Sequence, residues 1–115
     1  MAMTSNEWEF FEQQIALRVL TEAQGLPAAI SDLCRLNPRH SAESLLLGAI
    51  SVATNLDRNT NLFEESTTEI LIERYRVIAV LAADIAILSS ERRSCGDLQM
   101  FWLRSGSKVF APRTQ

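Results

Sequence analysis

The sequence predicts an all-α, mainly helical fold: a four-helix orthogonal or bundle-like domain around one long central helix at about 67–93, with a short C-terminal helix or β-hairpin as an appendage. Three observations lead there. Apolar residues recur at steps of three and four along most of the chain. Capping-box pairs open two of those stretches, Thr4 with Glu7 and Ser66 with Glu69. Gly25, the Asn37-Pro38 step and Gly96 punctuate them. The 115 residues are 47% hydrophobic with only four Gly and three Pro, so disordered, collagenous and low-complexity readings are excluded. A chain of this size buries roughly two-thirds of its unfolded surface and needs no metal or disulfide to fold. One domain over 1–115 is expected, with 97–115 as its appendage and tail.

The first helix carries Trp8, Phe11, Ile15, Val19 and Ala23 on one stripe, with Glu7, Glu9 and Glu12 in the electropositive first turn. Gly25 is expected to end it in the left-handed conformation, since Leu26 can make the accompanying apolar contact and Pro27 cannot continue the helix. Phe10 and Leu17 lie off the stripe and call for a second neighbour. A short helix follows over Pro27 to Leu36 with Ile30, Leu33 and Cys34 inward, ending where Pro38 pushes Asn37 out of helical backbone.

Ser41 or Asn37 can cap a third helix at about 41–54, whose Leu45, Leu46, Leu47, Ala49, Ile50, Val52 and Ala53 cover most of its circumference. That helix is expected to be largely buried. Asn55 to Glu65 is polar and aperiodic and reads as a loop. From Ser66 the chain reads as a helix of about 25 residues reaching Arg92 and Arg93, closed by Gly96. Its second half is apolar all round except for Asp84, as in a helix enclosed by others or by a partner subunit. The last segment reads equally as a helix capped by Asp97 and as two β-prone runs around Ser105-Gly106-Ser107. In either form Leu98 to Phe110 is too apolar for a free tail.

Few constellations suggest chemistry. The longest apolar window, Val77 to Leu88, is twelve residues and contains Asp84, too short for a membrane span. The N-terminus has neither the basic residues nor the apolar block of a signal peptide, so a cytoplasmic location is expected. Cys34 and Cys95 are read as buried thiols rather than a disulfide or metal pair, because neither has a CxxC spacing or a His nearby. His40, the only histidine, is read as a surface or capping residue. Glu69 and Glu73 could share a helix face, but the Glu-x-x-His pairing of carboxylate metal sites is absent, and Arg74 and Arg76 make a solvated salt-bridge face the better reading. The four glycines are isolated, so no phosphate loop exists. No catalytic, metal or cofactor-binding residue is expected, and no cofactor.

Residues 27–36 and 41–54 have the outline of a helix-turn-helix, with the C-terminal segment as a wing. The second helix nevertheless presents one acid and apolar bulk where a recognition helix presents Arg, Lys, Asn or Gln, and the net charge of −3 opposes phosphate attraction. The sequence therefore favours a non-enzymatic protein-interaction module, a homodimeric regulator, adaptor or chaperone of bacterial type, over winged-helix DNA binding and over a small-ligand-binding bundle. Asp84 among Leu81, Ile85 and Leu88 demands a partner, because an ionised carboxylate in apolar surroundings is costly unless paired. The expected interface comprises Val77, Leu81, Asp84, Ile85 and Leu88 with Met100, Phe101, Trp102 and Phe110.

Overall fold

The computed structural model describes residues 3–22, 24–60 and 66–110, with side chains described for 7–22, 24–55 and 72–110. The described residues form five helices and no strand, α1 (Met3–Ala16), α2 (Leu26–Leu36), α3 (Ala42–Thr60), α4 (Ser66–Ile87) and α5 (Cys95–Ser105), so the all-α class holds. Phe11 and Ile15 of the α1 stripe are fully buried, while Trp8 and Val19 are half-buried. The Thr4 side chain and Ala23 lie outside the described residues. The Glu7 carboxylate accepts the Ser41 N–H at 3.1 Å, at the start of α3.

Gly25 is a correction. Its backbone is extended (φ −66°, ψ 151°) and it stands at the N-cap of α2, with Pro27 in the first turn. α1 ends instead in a widened π-helical turn over Leu17–Thr21, where Glu22 N–H reaches the Leu17 carbonyl and Gln24 N–H the Arg18 carbonyl. Leu26 is already buried in the core, so the connection has only a few residues in which to reverse direction and no room for a separate C-cap loop.

α2 buries Leu26, Ala29, Ile30, Leu33 and Cys34, and Asn37 ends it with its side-chain amide donating to the Leu33 carbonyl at 2.9 Å. Ser41 caps α3, its hydroxyl accepting the Glu43 and Ser44 N–H groups. Leu45, Ala49, Val52 and Ala53 face the core, but Leu47 and Ile50 face outward at 49% and 40% exposure, so α3 is half-buried rather than enclosed. Gly48 lies where α1 and α3 cross: a Cβ there would sit 2.7 Å from Phe11 Cβ and 2.8 Å from the Glu12 nitrogen. α3 continues to Thr60, so residues 55–60 are helical where a loop is expected; nothing from Asn55 to Thr60 is Gly or Pro, and polar residues alone do not stop a helix. Residues 61–65 lie outside the described residues, as do the side chains of Ser66 and Glu69.

α4 has 22 residues and stops at Ile87, short of the expected Arg92-Arg93 end. Leu88 N–H tightens back to the Ile85 carbonyl, Arg92 N–H closes a turn onto Ser89, and Arg93 folds back to the Leu88 carbonyl and to Glu43. Gly96 does not close α4. It belongs to the first turn of α5, where its N–H donates to the Pro38 carbonyl and a Cβ would meet that oxygen at 3.2 Å. The C-terminal segment is helix, not hairpin, and its cap is Ser94. Asp97 sits at the third position and completes a capping box, each residue accepting the other's N–H. Gly106 ends α5 in the left-handed conformation (φ 67°), and the following turn brings Phe110 back onto Trp102, rings stacked with centroids 4.6 Å apart.

Hydrogen bonds from Ala42 N–H to the Arg93 carbonyl and from Cys95 N–H to the His40 carbonyl, each 2.7 Å, pin the starts of α3 and α5 together. One apolar cluster draws on all five helices. Among the described residues α2 and α3 touch every other helix, whereas α1 and α4 do not meet. The longest helix, expected at the centre, therefore lies at the periphery, packed chiefly on α3.

Candidate interaction surface

Of the residues expected at an interface, Val77, Leu81, Ile85, Trp102 and Phe110 are buried within the chain's own core. They cannot meet a partner without unfolding. Asp84 is partly exposed, and its partner is internal: the Trp102 indole N–H donates to Asp84 Oδ2 at 2.9 Å. Burial pushes the Asp84 carboxyl above its ordinary value, and the indole hydrogen bond pulls the other way. Leu88 and Phe101 are half-buried against the core, and Met100 is exposed.

The polar residues singled out for chemistry are structural in their contacts. His40 packs edge-on against Phe11 and tilted against Phe10, with centroids 5.4 and 5.5 Å away, which supplies the second neighbour that Phe10 calls for. Cys34 and Cys95, distant in sequence, come together where α2 meets α5: the Cys34 thiol donates to the Cys95 carbonyl at 3.0 Å, and both are buried and free. The hydrogen bond with Cys95, and then burial, hold the Cys34 thiol above its ordinary value, so it is a poor nucleophile. No group of three or more His, Cys, Asp or Glu able to hold a metal occurs among the described residues. Glu73 pairs with Arg76 at 3.8 Å on an exposed face. In the helix-turn-helix outline, the residues of α3 that face outward include Glu43, Leu47 and Ile50, and Arg35 is turned to Asp32 at 3.5 Å. No helix among the described residues is long and apolar enough to cross a membrane.

Large hydrophobic side chains stay exposed on every helix, and five of them, Ile72, Tyr75, Ile87, Met100 and Leu103, lie on α4 and α5. The core face of α4 is Val77, Leu81 and Ile85; the opposite face carries Ile72, Tyr75, Arg76, Ala79, Ala83, Ala86 and Ile87, at the spacing of one helical stripe. Ile72 is 61% exposed and Ile87 65%. Beyond Ile87, the last turn of α4 and the 97–104 face of α5 enclose an open cavity of about 400 Å³. Ile87, Leu88, Met100 and Phe101 form its apolar wall, and Arg92 and Arg104 stand at its edge. The sequence pattern does not reveal this cavity. A helix carried through to Arg93 leaves no opening between α4 and α5; the only signal of one is the run Ser89-Ser90-Glu91, polar after an apolar block.

Comparison of the chain with protein-family models, with curated proteins and with solved structures returns no match.

Proposed function

We propose that this chain is a non-enzymatic protein-interaction module that works as a homodimer, with the outer face of α4 as the seam between two copies. The observation that carries the reading is the composition of that face. Three alanines, Ala79, Ala83 and Ala86, run between exposed Ile72 and Ile87, so another helix can approach closely and bury large aliphatic side chains on both flanks. A face that is mostly apolar, interrupted by Arg76, and exposed at Ile72, Ala79, Ala83, Ala86 and Ile87 marks a surface used for contact. A two-fold pairing lets one stripe serve both subunits, because the same patch meets itself. The residues on this seam are those that α4 turns away from the core, so dimerisation needs no rearrangement of Val77, Leu81 or Ile85.

The test is mass in solution. Light scattering on the full chain at about 100 μM is expected to give twice the 12.9 kDa of one chain. Ala83→Glu is expected to give a folded monomer, since Ala83 faces solvent and a charge there disturbs the seam without entering the core. A wild-type monomer at that concentration, or an Ala83→Glu dimer, would contradict the reading.

A further inference from the structure

We infer that the cavity between the end of α4 and α5 is a docking site for an acidic peptide segment, one that places a bulky apolar side chain on Leu88, Met100 and Phe101, clear of the α4 seam, and a carboxylate on Arg104. The inference rests on the reading of the chain as an interaction module and adds the chemistry of its partner. Asp97, Met100, Phe101 and Arg104 follow one another at helical spacing and therefore line a single face of α5. That face is charged at both ends and apolar between them. At the N-terminal end, Asp97 is held ionised by hydrogen bonds from the Ser94 backbone and hydroxyl, with Arg92 as a lesser influence. At the other end, seven residues or about 10 Å along the helix, Arg104 has no carboxylate within ion-pair distance among the described residues.

Arg92, which lines the cavity with Arg104, and Arg39 and Lys108 likewise have no carboxylate within ion-pair distance among the described residues, whereas four other cations do. Arg18 and Arg35 face Asp32, Arg76 faces Glu73 and Arg93 faces Glu43. From Ile87 to Phe110 the chain carries four cations against two carboxylates, within a chain whose net charge is −3. An unpaired guanidinium one turn beyond an exposed apolar wall is complementary to an apolar residue followed within a few positions by Asp or Glu. An anionic membrane is the poorer fit. Two cations facing it, with the carboxylate of Asp97 in the same lining, attract too weakly to hold a chain of net negative charge at an anionic surface.

The test is selection of a displayed random peptide library on the full chain, repeated on the Arg104→Glu and Met100→Asp variants. Both substituted residues are exposed, and circular dichroism confirms that the variants keep their helices. Enriched peptides are expected to carry Leu, Phe, Met or Trp with Asp or Glu within about three positions. Their affinity should fall about tenfold or more on Arg104→Glu, where attraction becomes repulsion, and be lost on Met100→Asp. No enrichment over the bare support, enrichment without acidic residues, or equal binding by Arg104→Glu overturns the proposal. So does binding to vesicles of three parts phosphatidylcholine to one part phosphatidylglycerol in preference to the peptides. The dimer and the cavity fail separately: an Ala83→Glu monomer that still selects acidic peptides supports the cavity, and a stable dimer that selects none overturns the cavity alone.

Discussion

α3 and α4 carry similar complements of small and aliphatic residues, and the two helices use them in opposite ways. In α3 the small residues Ala42, Gly48, Ala49 and Ala53 are all turned inward, and at Gly48 the backbone of α1 comes so close that even a methyl group has no room. In α4 Ala79, Ala83 and Ala86 are turned outward with Ala82 half-buried beside them, and the aliphatic residues Val77, Leu81 and Ile85 hold the helix to the core. A small residue in a helix thus marks close approach of something. In α3 that something is α1 of the same chain. On α4 the approach is left open, which is the observation behind the proposed seam.

The comparison breaks or sharpens through substitutions on the two sides. The largest effect is expected on the core face of α4: Leu81→Ala should lower the free energy of unfolding by about 2–5 kcal/mol, read by urea denaturation monitored by circular dichroism. Next comes Gly48→Ala. Helix propensity favours alanine by about 1 kcal/mol, but the new methyl meets the α1 backbone, and overpacking of this kind costs about 1–3 kcal/mol. A net loss of stability is expected; a gain would show that α1 and α3 are less closely apposed than the crossing at Gly48 implies. On the outer face, Ala83→Glu should change the stability of a single subunit by no more than about 0.5 kcal/mol, so its effect on mass, if the seam is right, appears without a matching loss in the folded monomer. A cost comparable to that of Leu81→Ala would mean that this face is covered within its own chain.

The smallest expected effect concerns Asp84, at the boundary between the two faces. Burial raises its carboxyl above the ordinary value of 3.8, so the folded state holds the proton more tightly than the unfolded state. Its contribution to stability is therefore fully present below about pH 3.8 and is lost as pH rises through the folded value. Asp84→Asn keeps an oxygen for the Trp102 indole and removes the titration. The difference in unfolding free energy between the variant and the wild type should grow in favour of the variant as pH rises from 3 to 7, in urea titrations at fixed ionic strength. A difference that is flat or of opposite sign would place Asp84 in a more solvated setting.

Much of this fold is legible in the chain. The apolar periodicity of α1, α2 and α3 locates Phe11, Ile15, Ile30, Leu33, Leu45 and Ala49 in the core, and all six are buried. The break at Asn37-Pro38 and the Ser41 cap are local chemistry and appear where local chemistry puts them. The candidate site was far less legible. Val77, Leu81, Ile85, Trp102 and Phe110 are singled out for an interface because they are the most apolar residues of the C-terminal half, but the strongest hydrophobes are also the ones a chain buries first in itself. The surface left over consists of alanines, single isoleucines and arginines whose sequence pattern is unremarkable. Likewise Cys34 and Cys95 are 61 residues apart and become neighbours only when α2 meets α5.

What the sequence by itself determined is the helical class, the inward stripes of the first three helices and the capping chemistry at Ser41, because each depends on residues within a few positions of one another and on a period that burial imposes. Which helix lies in the middle, where α4 stops, which residue caps α5, what partners Asp84 and which side of α4 stays open were decided by tertiary structure. Those outcomes turn on contacts between segments tens of residues apart: Gly96 against Pro38, Arg93 against Glu43, Trp102 against Asp84. A helix end or an exposed face is the result of competition among such contacts for the same surface, and no local pattern encodes who wins.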